Sequence, residues 1–365
     1  MKRINYEKDI FGRRAALRRH KIEVKRKPRH YCRVNQKPKT RLLGRELIKA
    51  PENISIYDFE GPNSHYEKTI SFLEDIGNRY MRTDCYIDFS ETKLVTAAAL
   101  VLVYSAIETA RIGRHAKANL IWSQKSDRVN QILKTSNLQK LIQGNSFTYS
   151  LSSARHMPIV SSVGSNQMDE IIDFIQRSIY AEQMTPNTEY IYGDAVSETI
   201  NNVGLHAYPA APDDEKRWWL MCQTFGKKLY LAIYDRGVGI PKTVVERSWF
   251  LASMQTTHPE EYQRLTEEFP ELEASGIKAY IPTRIPDQNL IYLSMQGDVT
   301  GTKKDKHGQG SKSIMALVSD TDDGLLWVFS NKGLYTFRQA DRTPGLTALS
   351  KKFPGTLVQW NIEIP

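Results

Sequence analysis

Between Asn53 and Gln143 the apolar residues change period five times, and that alternation limits the fold more than any other feature of the chain. "NISIYDFEG" (53–61) reads as a strand, and "SHYEKTISFLEDIGNRYM" (64–81) places Ile70, Phe72, Leu73, Ile76 and Tyr80 at helical spacing. "DCYIDFS" (84–90) alternates at period two. "VTAAALVLVYSAIETARIG" (95–113) reads as a helix with a glycine stop. "KANLIWS" (117–123) and "SDRVNQILKTSNLQKLIQ" (126–143) repeat the strand–helix pair. Strands and helices in strict alternation predict an α/β layer domain over residues 51–143.

The pattern then changes. Residues 144–167 are rich in serine and lack periodicity, so they read as a linker. "MDEIIDFIQRSIYAEQ" (168–183) reads as a helix. "RWWLMCQTFGKKLYLAIYD" (217–235) reads as a hairpin turning at Gly226-Lys227-Lys228, with Trp218 and Trp219 in its core. "GLLWVFSNKGLYTFRQ" (324–339) reads as a second hairpin, and "GTLVQWNIEI" (355–364) as a last strand. Helices plus antiparallel strands predict an α+β sandwich over 168–365. The expected fold class is therefore α/β plus α+β. No internal repeat is present in the sequence.

Charge divides the chain differently. Residues 1–50 hold 18 Lys and Arg against 4 Asp and Glu, while the remainder holds 32 against 37. The net +9 thus comes from a basic N-terminal arm, 1–50, on a mildly acidic body. Such an arm suits nucleic-acid phosphates, and equally suits a solubilising or partner-docking tail. No apolar run reaches the length of a membrane span, and Leu94–Ala110, the longest candidate, reads as a buried helix. The basic N-terminus lacks the apolar stretch of a secretory signal. Cys32, Cys85 and Cys222 are few and far apart, which suits a reducing, cytoplasmic compartment. His30 and Cys32 lack two further ligands at metal spacing.

Three segments carry the candidate chemistry. In "SETINNVGLHAYPAAP" (197–212), Glu198, Asn202 and His206 stand four apart and share one face of a helix. Gly204 would cost that helix about 1 kcal/mol relative to alanine. Rules broken without local gain often mark function, although a solvated helix face with a stray glycine has the same pattern. In "LYLAIYDRGVGIP" (229–241), a strand runs into Asp235, Gly237 and Gly239. This sets a fixed carboxylate, able to accept from an exocyclic amine, beside backbone free to take positive φ. An ordinary glycine-rich turn has the same composition. In "DKHGQGSKSIMALVSD" (305–320), Gly308 and Gly310 precede a helical pattern, where exposed N–H groups hold phosphate oxygens.

Glu-x-x-x-Asn on a helix, Asp-x-Gly-x-Gly after a strand, Gly-x-Gly before a helix and a last strand opening with Gly355-Thr356 together resemble the GHKL ATP-binding fold. That superfamily includes gyrase, histidine kinases, mismatch-repair ATPases and anti-sigma-factor serine kinases. "VSETINNVGLHAY" (196–208) is most similar to the last group. The resemblance implies a two-layer Bergerat sandwich that binds ATP and Mg²⁺. Asn202 would hold the metal, and Glu198 would orient or deprotonate an attacking hydroxyl or water. Asp235 would read the adenine amine with support from Thr356. Gly237 and Gly239 would shape the base pocket, and Gly308 and Gly310 would close over phosphates. Ser311 and Lys312 stand where the family has aliphatic residues, and Lys312 either reaches a phosphate or points to solvent. The 67 residues from Pro241 to His307 occupy the position of the ATP lid, with an insertion mainly over 242–286.

"CYIDFSETKLVTAAALVLVYSAIETARIG" (85–113) resembles a STAS domain, the fold of anti-sigma-factor antagonists. The phosphorylatable serine of that family falls on Thr96-Ala97-Ala98-Ala99, where its own position is alanine. The implied protein is a cytoplasmic regulatory switch: a STAS-like domain joined to a GHKL domain whose ATP–Mg²⁺ state controls a protein partner, with slow hydrolysis as an option. A serine/threonine kinase of the anti-sigma-factor type and an ATP-dependent nucleic-acid-binding module are the alternatives. A homodimer is left open.

Overall fold

The computed structural model describes residues 12–19, 40–112, 117–144, 150–154, 156–268, 270, 274–296, 310–319, 321, 323–341 and 343–364. The chain forms two units, Met1–Arg41 and Leu42–Pro365. In the first, residues 12–19 form an exposed helix, α1. The rest of the basic arm up to residue 39, which bears the nucleic-acid expectation, lies outside the described residues.

The second unit is a mixed α/β structure of two lobes. The first lobe contains β1 (Arg41–Leu42), β2 (Arg45–Lys49), β3 (Asn53–Ile54), α2 (His65–Asp75), β4 (Cys85–Asp88), β5 (Leu94–Val95), α3 (Ala97–Ile112), β6 (Ala118–Ile121), α4 (Asp127–Thr135) and α5 (Leu138–Gln143). Strands β2, β4 and β6 lie parallel in that order, as crossover connections require, and β3 and β5 form a smaller parallel pair. Helix α2 starts where the Ser64 hydroxyl accepts the Glu67 N–H at 3.3 Å. It runs on as a π-turn, Ile76–Tyr80. The helical stretch 126–143 is broken: Asn137 takes a left-handed φ of 62° between α4 and α5, and Gly144 ends α5 at φ 81°. The strand read over 53–61 is only two residues long, and Tyr57 turns out to meet Trp327 of the second lobe, ring centroids 5.2 Å apart.

The second lobe follows with β7 (Val160–Val163), α6 (Met168–Ser178), α7 (Pro186–Asn202), β8 (Arg217–Phe225), β9 (Lys228–Asp235), α8 (Ile240–Thr243), α9 (Phe250–Thr257), α10 (Pro259–Glu268), α11 (Ala274–Arg284), α12 (Asp287–Gln296), α13 (Gly310–Ser319), β10 (Leu325–Arg338) and β11 (Gly345–Glu363). Its sheet has the order β10-β11-β9-β8-β7, antiparallel throughout. Two local readings change. Part of the stretch read as a linker is strand β7, paired to β8 at the sheet edge. The expected second hairpin is instead one long strand, β10, paired to an equally continuous β11. Asn331-Lys-Gly333 looks like a turn, but Asn331 takes φ 51° and the register shifts on either side of it, forming a bulge. A Cβ on Gly333 would stand 2.5 Å from the Gln288 nitrogen, and the Lys332 N–H donates to Asp287 at 2.8 Å. The bulge is thus shaped to receive the start of α12.

Register explains the two faces of this sheet. Trp218, Asp235, Thr356 and Ser330 are cross-strand partners in one row and share a face. One residue along, Trp219, Tyr234, Leu357 and Phe329 form the next row on the opposite face. The first face packs against α6, α7 and α13, burying Ile171, Val196, Ile200, Leu317 and Trp360. The second face is covered by the first lobe. Helix α3 is apolar on nearly every side, so it must be buried all round. It packs on β8 and β9 within one continuous core that holds Leu100, Val103 and Ile107 together with Trp219, Tyr234, Phe329 and Leu357. Among the described residues, no helix is long and apolar enough to cross a membrane.

Candidate functional site

The polar stripe read on one helix lies on the C-terminal turns of α7, and Thr185 begins that helix by accepting the Thr188 N–H at 3.1 Å. Glu198 and Asn202 face inward, and the Asn202 Nδ2 donates to Glu198 Oε1 at 3.0 Å. That bond turns the amide oxygen away from Glu198 and leaves it free to accept or coordinate. The helix then loosens into a π-turn, Val203–Ala207, which contains Gly204 and His206. Such turns recur at functional sites. A Cβ on Gly204 would meet nothing within 4 Å, so close packing is not what this glycine supplies.

Strand β9 delivers Asp235 to the same place. Its carboxylate is buried, and Oδ1 accepts the Gly237 N–H at 2.8 Å. Burial pushes its pKa up to about 7, and backbone hydrogen bonds from Gly237 and Thr356 only partly oppose that rise. Thr356 lies directly across the ladder on β11, and its hydroxyl is 3.1 Å from Ser330 Oγ. The Ser330 hydroxyl also accepts the Ile240 N–H at 2.9 Å, which fixes the backbone just past Gly239.

These residues enclose one cavity of about 280 Å³, lined by Glu198, Asn202, Asp235, Gly239 and Thr356 among others. Its lining includes a buried carboxylate with a hydroxyl opposite it on the ladder, and a bonded carboxylate–amide pair. The two glycines of the strand-end turn differ in role. Gly239 borders the cavity at φ 90°, where a Cβ would crowd Asn331 and Ser330 at 2.9 Å. Gly237 is not among the lining residues. It lies behind the cavity, where a Cβ would stand 2.2 Å from the Ala207 carbonyl oxygen, and the neighbouring Val238 N–H donates to that carbonyl at 2.8 Å. Gly237 therefore lets the strand-end turn close against the last residue of the π-turn that follows α7. Gly310 opens α13, and Ser311 and Ile314 of that helix line the cavity. Lys312 is exposed and absent from the lining. Gly308 lies outside the described residues.

The sequence reading missed Arg247, Trp249, Thr243 and Ser294, all of which line the cavity. Arg247 and Trp249 follow a 3₁₀ turn, Val244–Glu246, inside the 242–286 segment. Only the abrupt "ERSWF" after an apolar pair hinted at them. Val244, Val245, Phe250, Met254 and Ile281 of the segment are buried together in a small core completed by Leu290 and Leu293 of α12.

A row of hydrogen bonds leads from the back of the site to the first lobe. The Tyr208 hydroxyl accepts the Arg236 N–H and donates to the Arg217 carbonyl, both at 2.8 Å. The Arg217 guanidinium donates to Ser161 Oγ at 2.9 Å, and Ser161 donates to Glu108 on α3 at 2.6 Å. Trp219 Nε1 donates to the same Glu108 oxygen at 2.7 Å.

No family model matches the chain, and no curated protein is similar to it.

Proposed function

We propose that the cavity is an ATP–Mg²⁺ site in a GHKL-type lobe, and that the protein is a regulatory switch whose nucleotide state is read by a protein partner. The observation that carries this reading is the convergence of Glu198, Asn202, Asp235, Gly239 and Thr356 on one cavity from three separate stretches of sequence. A buried acceptor at the end of β9 suits an exocyclic amine, and the free amide oxygen of Asn202 suits a hard cation. Among the described residues no cluster of three or more acidic, His or Cys side chains is set to hold a metal alone. A magnesium ion here would be carried largely by the phosphates of its ligand, with Asn202 completing the shell. When bound, that ion neutralises charge on the phosphates; Glu198 then stands beside the metal-binding amide, placed to orient a hydroxyl or water.

The first lobe supports the regulatory part. Parallel strands β2, β4 and β6, with α3 following β4, suit a STAS-like fold. Ala98 and Ala99, at the start of α3, are buried and offer no hydroxyl. The lobe is also bonded to the site through Tyr208, Arg217, Ser161 and Glu108. A switch that reads nucleotide state needs such a mechanical tie between the site and a second element.

Titrating the full chain with ATP in the presence and absence of Mg²⁺ tests the reading. The expected result is saturable binding that weakens without the metal and weakens again in Asn202→Ala. Binding no tighter than the millimolar range would overturn it. Glu198 favours a second reading, as an ATPase or a serine/threonine kinase acting on another protein. There Glu198→Ala abolishes turnover or labelled-phosphate transfer while leaving ATP affinity within about threefold.

A further inference from the structure

Arg247 is the one Lys or Arg among the described residues that line the cavity. Its backbone is fixed three ways: its N–H donates to Val244 at 3.1 Å, and its carbonyl accepts from the Phe250 N–H and from Lys278 Nζ, both at 3.2 Å. The guanidinium is half-buried, yet it makes no hydrogen bond or ion pair with any described residue. Burial pulls its pKa below the ordinary arginine value, and the only charge acting against that is Glu198. A guanidinium that is part-way out of water and bonded to no protein group keeps its five donors available to an anionic ligand, whose charge offsets the partial desolvation.

Position selects which anion. Asp235 and Thr356 mark the end of the cavity suited to a base. Glu198, whose charge acts on Arg247, is bonded to Asn202, the residue assigned above to the metal and hence to the phosphates. The planar, forked guanidinium matches phosphate oxygens in pairs, which a lysine would not do.

Resting on the nucleotide reading above, we infer that Arg247 binds the terminal phosphate of the nucleotide and so distinguishes triphosphate from diphosphate. The residue belongs to the 242–286 segment, whose apolar side chains pack in one small core with Leu290 and Leu293 of α12. Lys278 on α11 holds the Arg247 carbonyl, so a pull on the guanidinium is passed to that helix. The segment is then the part of the molecule that registers the phosphate count.

The test compares binding of ADP with that of the β,γ-imido analogue of ATP, each with Mg²⁺, in the full-length wild type and in Arg247→Ala, Arg247→Gln and Arg247→Lys. The inference expects analogue affinity to fall by about tenfold or more in the Ala and Gln variants, with ADP affinity held within about twofold and partial recovery in the Lys variant. An equal loss for both ligands, or an unchanged preference, overturns the role of Arg247 while leaving the site intact. Should Arg247→Ala fail to fold, the Gln and Lys variants make the same comparison, and unfolding of all three assigns Arg247 a structural role and overturns the inference. A wild type that binds neither ligand overturns the nucleotide reading itself.

Discussion

The two faces of the five-stranded sheet are made from neighbouring residues of the same strands, yet they follow opposite rules. On one face, Trp219, Tyr234, Phe329 and Leu357 belong to the core that holds α3; the Trp219 N–H is bonded to Glu108, and the Trp327 N–H alone is buried there without a partner among the described residues. On the other, Asp235 is buried with its pKa raised and Arg247 is half-buried without a partner. The first face is optimised for the folded state, whereas the second keeps polar groups in places that cost stability. Costs of that kind, gathered around one cavity, are what a binding site requires and a structural core avoids. The Trp218-Trp219 pair condenses the contrast: Trp218 enters the core beneath the site lobe's helices, and Trp219, one residue on, enters the core shared with the first lobe.

Substitutions on the two faces should therefore move stability in opposite directions. The largest effect is expected from Trp219→Ala, which empties part of the shared core and strips Glu108 of a donor. Denaturant titration should show a loss of about 3–5 kcal/mol, with both lobes unfolding in one transition. Separate transitions for the two lobes would show that the shared core does not couple them. Asp235→Asn should do the reverse at pH 8, stabilising the free protein by about 1–3 kcal/mol because an ionised carboxylate no longer has to be buried. The same variant should lose nucleotide affinity by about tenfold or more.

The pH dependence of the wild type sharpens the same point. The folded carboxyl of Asp235 titrates near 7 and an unfolded one near 3.8. Between those values the folded chain keeps a proton that the unfolded chain has lost. Its contribution to stability is thus complete below about pH 4 and disappears as pH rises through about 7. Nucleotide affinity should run the other way, rising as Asp235 ionises, and both slopes should flatten in Asp235→Asn. The smallest effect is expected from Gly239→Ala, about 1–2 kcal/mol in thermal unfolding, because φ 90° and the contacts with Asn331 and Ser330 both disfavour a Cβ. Its loss of ligand affinity should exceed what Gly237→Ala causes after correction for stability, since Gly237 stands behind the cavity wall.

What could be read from the sequence was whatever depends on local periodicity. Helical spacing placed Glu198 and Asn202 on one face, and a strand ending in Asp235 placed the carboxylate at a strand end beside a glycine turn. What could not be read depends on distant partners. Asn331-Lys-Gly333 has the composition of a turn, and only the approach of α12 makes it a bulge. Val160–Val163 has too few apolar residues to look like a strand until β8 supplies the ladder. Arg247 carries only the faint local signal of "ERSWF", because its significance lies in Glu198, nearly fifty positions earlier in the chain. The burial of α3 on every side was visible in its composition, but not that the covering surface would come from β8 and β9.

That last dependence has a consequence for biosynthesis. A nascent chain extrudes α3 well before β9 is translated, and β11 comes later still. At about 5–20 residues per second, the ribosome leaves this greasy helix without its cover for on the order of ten seconds. A trigger-type chaperone that shields apolar segments during translation would find its client window there, and fragments ending ahead of Lys228 would be expected to aggregate.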